Sequence, residues 1–141
     1  MSAFGEVGAP ARDRGGARRE LVVTFTREQI AAYAEASGDR NPIHLDDEAA
    51  RAAGLPGVIA HGMLQMGLLA RVAGDPGRLR RLSCRFAEMV RPGDTVTFRG
   101  EERDGRVELT AVNQDGRPVV TRGQAELTLP DPRAEAGPSP G

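Results

Sequence analysis

Two hydrophobic periods divide this chain, one helical and one of two residues. Leu21, Val23 and Phe25 share one face of a β-branched run, which predicts a short strand over Leu21–Phe25. Thr26-Arg27-Glu28-Gln29 has capping-box form: the threonine oxygen takes one free N–H, and the glutamine reaches back. Ile30, Tyr33, Ala34 and Ser37 then recur at helical spacing, and Gly38 is suited to end the helix in a left-handed conformation. Pro42 prevents helix from resuming at once and pushes Asn41 towards an extended shape. Asp46 or Asp47 caps a brief helix running through Ala53, and Gly54 closes it. After the turn Leu55-Pro56-Gly57 comes Gly62–Ala73, whose polar members are Gln65 and Arg71. A helix apolar nearly all round is a buried one. Gly74-Asp75-Pro76-Gly77 stops it.

Beyond that point the period becomes two. Leu82, Cys84 and Phe86 alternate with polar residues, as do Val96 with Phe98, and Val107, Leu109 and Ala111. Val119, Ala125, Leu127 and Leu129 share one parity in the final run. Asp104-Gly105 and Asp115-Gly116 are hairpin signals, so four consecutive antiparallel strands are expected. The fold class is therefore α+β, a curved antiparallel sheet packed on one long apolar helix. That helix is apolar on more sides than one sheet covers, and about five strands leave exposed edges. Both point to a dimer with two-fold symmetry. Gly-, Ala- and Arg-rich residues 1–18 and Pro-, Gly- and Ala-rich residues 131–141 read as disordered tails around one domain over 19–130.

Composition narrows the function. A net charge of −1 gives no electrostatic case for nucleic acid. All 19 basic residues are Arg, which excludes Schiff-base and P-loop chemistry. A single cysteine, Cys84, suggests a reduced, cytoplasmic setting; its parity with Leu82 and Phe86 places it in the core. No apolar run reaches the ~20 residues of a membrane span. Arg78, Arg80, Arg81, Arg85 and Arg91 read as a solvated face, with attraction of a CoA phosphate or an acidic carrier protein as the functional option.

The chemistry gathers between Tyr33 and Met66, which hold both histidines. Alone, Asp39 suits a turn after a helix end and His44 a satisfied structural histidine. Together, an Asp and a His let one group hold a water while the other accepts or returns a proton, and either can be the base. Pro42 stiffens the loop between them. Gly62 opens the apolar helix, where its N–H has no internal partner, the helix dipole is positive, and no Cβ obstructs a carbonyl. Asn41 supports the loop or the substrate. His61 leans towards a structural part, capping or orienting the segment before the helix, with substrate binding as its functional alternative. Met63, Met66 and Leu69 read as core, with the loop-facing side, Met63 first, also lining a pocket. The spacing of His44 and His61, with no cysteine near, lacks the usual metal-ligand pattern, so neither metal nor cofactor is expected.

Ser37-Gly38-Asp39-Arg40-Asn41-Pro42-Ile43-His44 followed by Ala60-His61-Gly62-Met63 resembles the MaoC-like family of (R)-specific enoyl-thioester hydratases and 3-hydroxyacyl-thioester dehydratases, which have the hotdog fold. Val90-Arg91-Pro92-Gly93-Asp94-Thr95 is similar to the family's strand and turn after the helix, and Gly57 to Leu64 to actinobacterial fatty-acid-type dehydratase subunits. The resemblance covers roughly residues 20–129. It implies Asp39 and His44 as the catalytic pair, the Gly62 N–H as oxyanion donor, an acyl-CoA or acyl-carrier-protein thioester as substrate, and a homodimer or a heterodimer with a second hotdog subunit. A hotdog thioesterase is the competing expectation, lowered because Gly62–Ala73 carries no Asp or Glu. The same residues would also suit the catalytic half of a heterodimeric dehydratase, or a pathway enzyme that adds a nucleophile besides water to an enoyl thioester.

Overall fold

The computed structural model describes residues 11–12 and 17–129. Strands β1 (Ala11–Arg12) and β2 (Ala17–Thr24) precede helices α1 (Arg27–Ser37), α2 (Asp47–Ala52) and α3 (Gly62–Ala73). Strands β3 (Leu79–Phe86), β4 (Thr95–Arg103), β5 (Arg106–Val112) and β6 (Pro118–Leu127) follow. They form one antiparallel sheet in the order β1-β2-β4-β5-β6-β3, with α3 packed against four of its strands.

The four-strand meander expected from the alternation is corrected here. β4, β5 and β6 do form consecutive hairpins, but β3 pairs with β6 at the far edge. The place beside β4 is taken by β2, registered from Ala17↔Glu102 to Thr24↔Thr95. Alternation reveals which residues face the core, not which neighbour a strand finds after a long helix has carried the chain across the sheet. β2 also begins inside the stretch expected to be tail, and β1 pairs with it through Ala11↔Glu20 and Arg12↔Arg19. Residues 131–141 lie outside the described residues.

The sheet bends round α3 by two devices. A Cβ on Gly100 of β4 would run into the Val72 carbonyl of α3, so strand and helix touch backbone to backbone. Across from Leu109 and Ala111, β6 carries one extra residue, a bulge in which Arg122 takes φ 50°. A second register shift follows opposite Ala111 and Val112, and the two shifts together bury both Val119 and Val120 where strict alternation predicts one. Phe25, Ile30, Leu69, Val72, Val96 and Phe98 are among the fully buried core residues.

Local expectations fare unevenly. Thr26 caps α1 by accepting from the Gln29 N–H at 3.1 Å, and Gly38 ends the helix at φ 80°. The Gln29 side chain does not reach back; it is buried, with neither amide atom partnered among the described residues. A single 3-10 turn starts at Pro42 itself, because proline is tolerated where the first N–H is free anyway. Helix α3 has the predicted bounds but is not buried all round. Leu64, Leu68, Leu69 and Val72 are covered, whereas Met63 is 62% exposed and Gly67 is exposed, with Met66 and Ala70 half-buried. Met63 is therefore not a core residue in this chain.

Candidate active site

Three consecutive side-chain turns build the loop after α1. The Asp39 N–H donates to Ser37 Oγ at 3.1 Å, and Asp39 Oδ1 accepts from the Asn41 N–H at 3.3 Å. Asn41 Oδ1 in turn accepts from the Ile43 N–H at 3.2 Å, capping the 3-10 turn that carries His44. Asn41 thus holds the loop through its own side-chain oxygen. With Oδ1 engaged, the other carboxylate oxygen of Asp39 lies 4.0 Å from His44 Nε2. Asp39 is 55% exposed at its side chain, while His44 is buried.

The segment before α3 runs alongside this loop. The Ile59 N–H donates to the Ile43 carbonyl at 3.2 Å, and the Ala60 N–H donates to the Val90 carbonyl at 2.8 Å. His44 Nδ1 lies 2.8 Å from the Ile59 carbonyl oxygen. A carbonyl oxygen only accepts, so Nδ1 carries a proton, and in the neutral ring Nε2 presents its lone pair towards Asp39. His61 Nε2 is 3.0 Å from the Asp39 carbonyl oxygen, and its ring stacks on His44 with centroids 3.7 Å apart and planes inclined by 23°. Tyr33 of α1 meets the same ring edge-on at 4.7 Å. His61 occupies the N-cap position of α3 but makes no capping bond with its side chain. Its pKa is lowered chiefly by burial, partly offset by its hydrogen bond to Asp39.

Gly62 follows directly, so the first turn of α3 opens beside the Asp39–His44 pair. Among the described residues nothing accepts its N–H, as befits a helix start. The glycine has a second cause that the sequence does not reveal. A Cβ here would lie 2.9 Å from Cε2 of Phe86, whose ring, 47% exposed, closes on the helix start from β3. By sequence Phe86 is only an alternating strand residue, and Ile59 contributes a backbone carbonyl that no side-chain pattern announces. Met63, on the exposed side of α3, stands next to this opening.

Asp39, His44 and His61 each place a potential ligand atom within 4.8 Å of the others. A metal ion must lie in the plane of each imidazole it binds. Stacked rings hold their lone pairs in two nearly parallel planes, with centroids 3.7 Å apart, so one ion does not lie in both at bonding distance, and each ring already gives one nitrogen to a carbonyl. The trio fits proton transfer rather than cation binding. Two surface depressions, of about 300 and 270 Å³, are lined by residues such as Arg103, Arg106, Glu108 and Glu126, without histidine or nucleophile. Arg27 is tied to Asp47 at 2.8 Å, and the Val58 N–H, with that guanidinium, holds the Asp47 carboxyl below its usual range. Cys84 is half-buried, and burial raises its pKa, which leaves it unactivated.

An antiparallel sheet curled on one long helix is the hotdog fold, and the Asp39–His44 pair stands beside that helix's N-terminus. The MaoC like domain model matches residues 12–123, and the chain belongs to that family. The (R)-hydratase from A. caviae involved in PHA biosynthesis superposes with a TM-score of 0.71 at 29% identity, covering 84% of this chain and 98% of that one. The peroxisomal hydratase-dehydrogenase-epimerase of Neurospora crassa is 35% identical over 109 residues, 76% of this chain and 12% of that protein. The 3-hydroxyacyl-thioester dehydratase X of Mycobacterium tuberculosis is 38% identical over 102 residues, 71% and 36% respectively. The chain thus spans only a minor part of these two curated relatives. Among the described residues no helix is long and apolar enough to cross a membrane.

Proposed function

We propose that the chain is a hydro-lyase interconverting (3R)-hydroxyacyl and trans-2-enoyl thioesters, carried on CoA or an acyl carrier protein. The observation that carries this reading is the 4.0 Å gap between Asp39 Oδ2 and the lone-pair nitrogen of His44. An oxygen about 2.8 Å from each acceptor sees them at roughly 90°, so one water can donate a proton to both. Its own lone pairs then stay free for attack on C3.

The site holds two acceptors and no acid. The proton delivered to C2 is therefore the one removed from water. His44 Nε2 takes it as the oxygen adds to C3, the Asp39 carboxylate stabilises the imidazolium formed, and Nε2–H returns it to C2. Water and proton arrive from the same side of the double bond. Charge developing on the thioester oxygen meets the Gly62 N–H and the positive end of α3. Dehydration runs through the same groups in reverse.

The resemblance to hydratases and dehydratases supports the reaction class. The stripe of exposed Met63 and Gly67 and half-buried Met66 and Ala70 on α3, with edge strand β3, supports a second copy of the chain as the cover that closes the acyl site. The test is a panel of trans-2-enoyl thioesters of varied length on both carriers, followed by loss of the conjugated enoyl absorbance, with free thiol measured in parallel. Absorbance loss without thiol release is expected. Thiol release instead would make the protein a thioesterase, and absence of both would overturn the reading.

A further inference from the structure

We infer that His61 is a positioning residue, one half of a reciprocal tie that sets the geometry of Asp39 and His44; this rests on the hydro-lyase reading above. Each histidine gives one ring N–H to a backbone carbonyl in the other's segment. His44, in the loop after α1, donates through Nδ1 to Ile59 at 2.8 Å. His61, at the start of α3, donates through Nε2 back to Asp39 at 3.0 Å. The stacked rings lie between these two bonds. The loop and the segment before α3 are thereby held from both directions.

The tie constrains the state of His61 as well as its place. With Nε2–H given to a carbonyl, Nδ1 of the neutral ring is a lone pair, and it is buried without a partner among the described residues. A charged His61 would bury an unpaired N–H and set a second cation against His44 when that ring takes a proton. A neutral ring instead offers its π-face to the imidazolium. His61 is 2% exposed, so it acts through Asp39 and His44 rather than by touching the substrate. Tyr33, edge-on to it, holds the ring against rotation.

Three variants separate the contributions. His61→Gln keeps an amide N–H without a ring, His61→Phe keeps a ring without the N–H, and His61→Leu keeps neither. Misplacing catalytic groups by about 1 Å costs on the order of 10²-fold. The expected result is that loss in kcat for His61→Leu, with KM within about twofold, and partial recovery in His61→Gln and His61→Phe. Unchanged kcat in His61→Leu, or a rise in KM alone, overturns the inference and leaves the hydro-lyase reading intact. Should His61→Leu not fold, the other two variants carry the kinetic test.

A second readout is independent of activity. Long-range proton–nitrogen spectra of the wild-type protein at neutral pH should show His61 as the neutral Nε2–H tautomer and His44 as the Nδ1–H tautomer. A charged or Nδ1–H His61 overturns the tie even in an active enzyme. If the wild type hydrates nothing, the hydro-lyase reading falls while the spectra still decide the tie.

Discussion

Replacing Asp39 by Asn changes one atom and removes one charge, and the structure allows its effect to be sized. Two unit charges 4.0 Å apart attract by about 4 kcal/mol at an effective dielectric constant of about 20. The Asp39 side chain is 55% exposed, and solvent screening roughly halves that figure, leaving about 2 kcal/mol for the imidazolium of His44. Loss of a charged acceptor for the bound water adds about 1.5–3 kcal/mol. The sum, about 3.5–5 kcal/mol, corresponds to roughly 400- to 5,000-fold in kcat, within the ~10²–10⁴ of general acid–base groups. Stability should barely move, by about 0.5 kcal/mol or less, because the Asn carbonyl still accepts from the Asn41 N–H. The assay pairs initial rates on an enoyl thioester with urea unfolding of the same preparation. Asp39→Asn turning over at the wild-type rate would refute the water-holding pair, and a rate loss matched by unfolding would refute the electrostatic account of it.

Further substitutions probe the frame. Gly100→Ala drives a methyl into the Val72 carbonyl, where neither backbone can yield, and should cost about 3 kcal/mol in a urea melt. Arg122→Val puts a β-branched residue at φ 50° and should cost about 1–3 kcal/mol despite the site's exposure, whereas Arg122→Gly should stay within about 1 kcal/mol. Because burial lowers the pKa of His61 from 6.5, the unfolded chain binds the proton more readily. Stability is then fully present above 6.5 and is lost as pH falls through the lowered value. His61→Phe should flatten that part of the pH–stability profile.

How much can be read from the chain follows from what carries information locally. Gly62 and Gly74 bracket α3, Thr26 and Gly38 bracket α1, and each is a feature of single residues acting on their own backbone. The nearness of Asp39 and His44 is legible for the same reason, since one short loop contains both. What stays hidden depends on partners far along the chain. The neighbours of β3 depend on where α3 delivers it, the bulge at Arg122 has no composition of its own, and the Ile59 carbonyl is common to every residue type. Met63 reads as core because hydrophobicity does not distinguish a helix face turned to the sheet from one left exposed. The stacking of His44 on His61 requires the two segments to be folded together.

The most direct test of the central claim is hydration of a trans-2-enoyl thioester in heavy water, with the product's C3 configuration and C2 deuterium placement determined. The expected product is a (3R)-hydroxyacyl thioester with hydroxyl and deuterium added to the same face. A 3S product, addition to opposite faces, or an enoyl thioester recovered unchanged would contradict the claim.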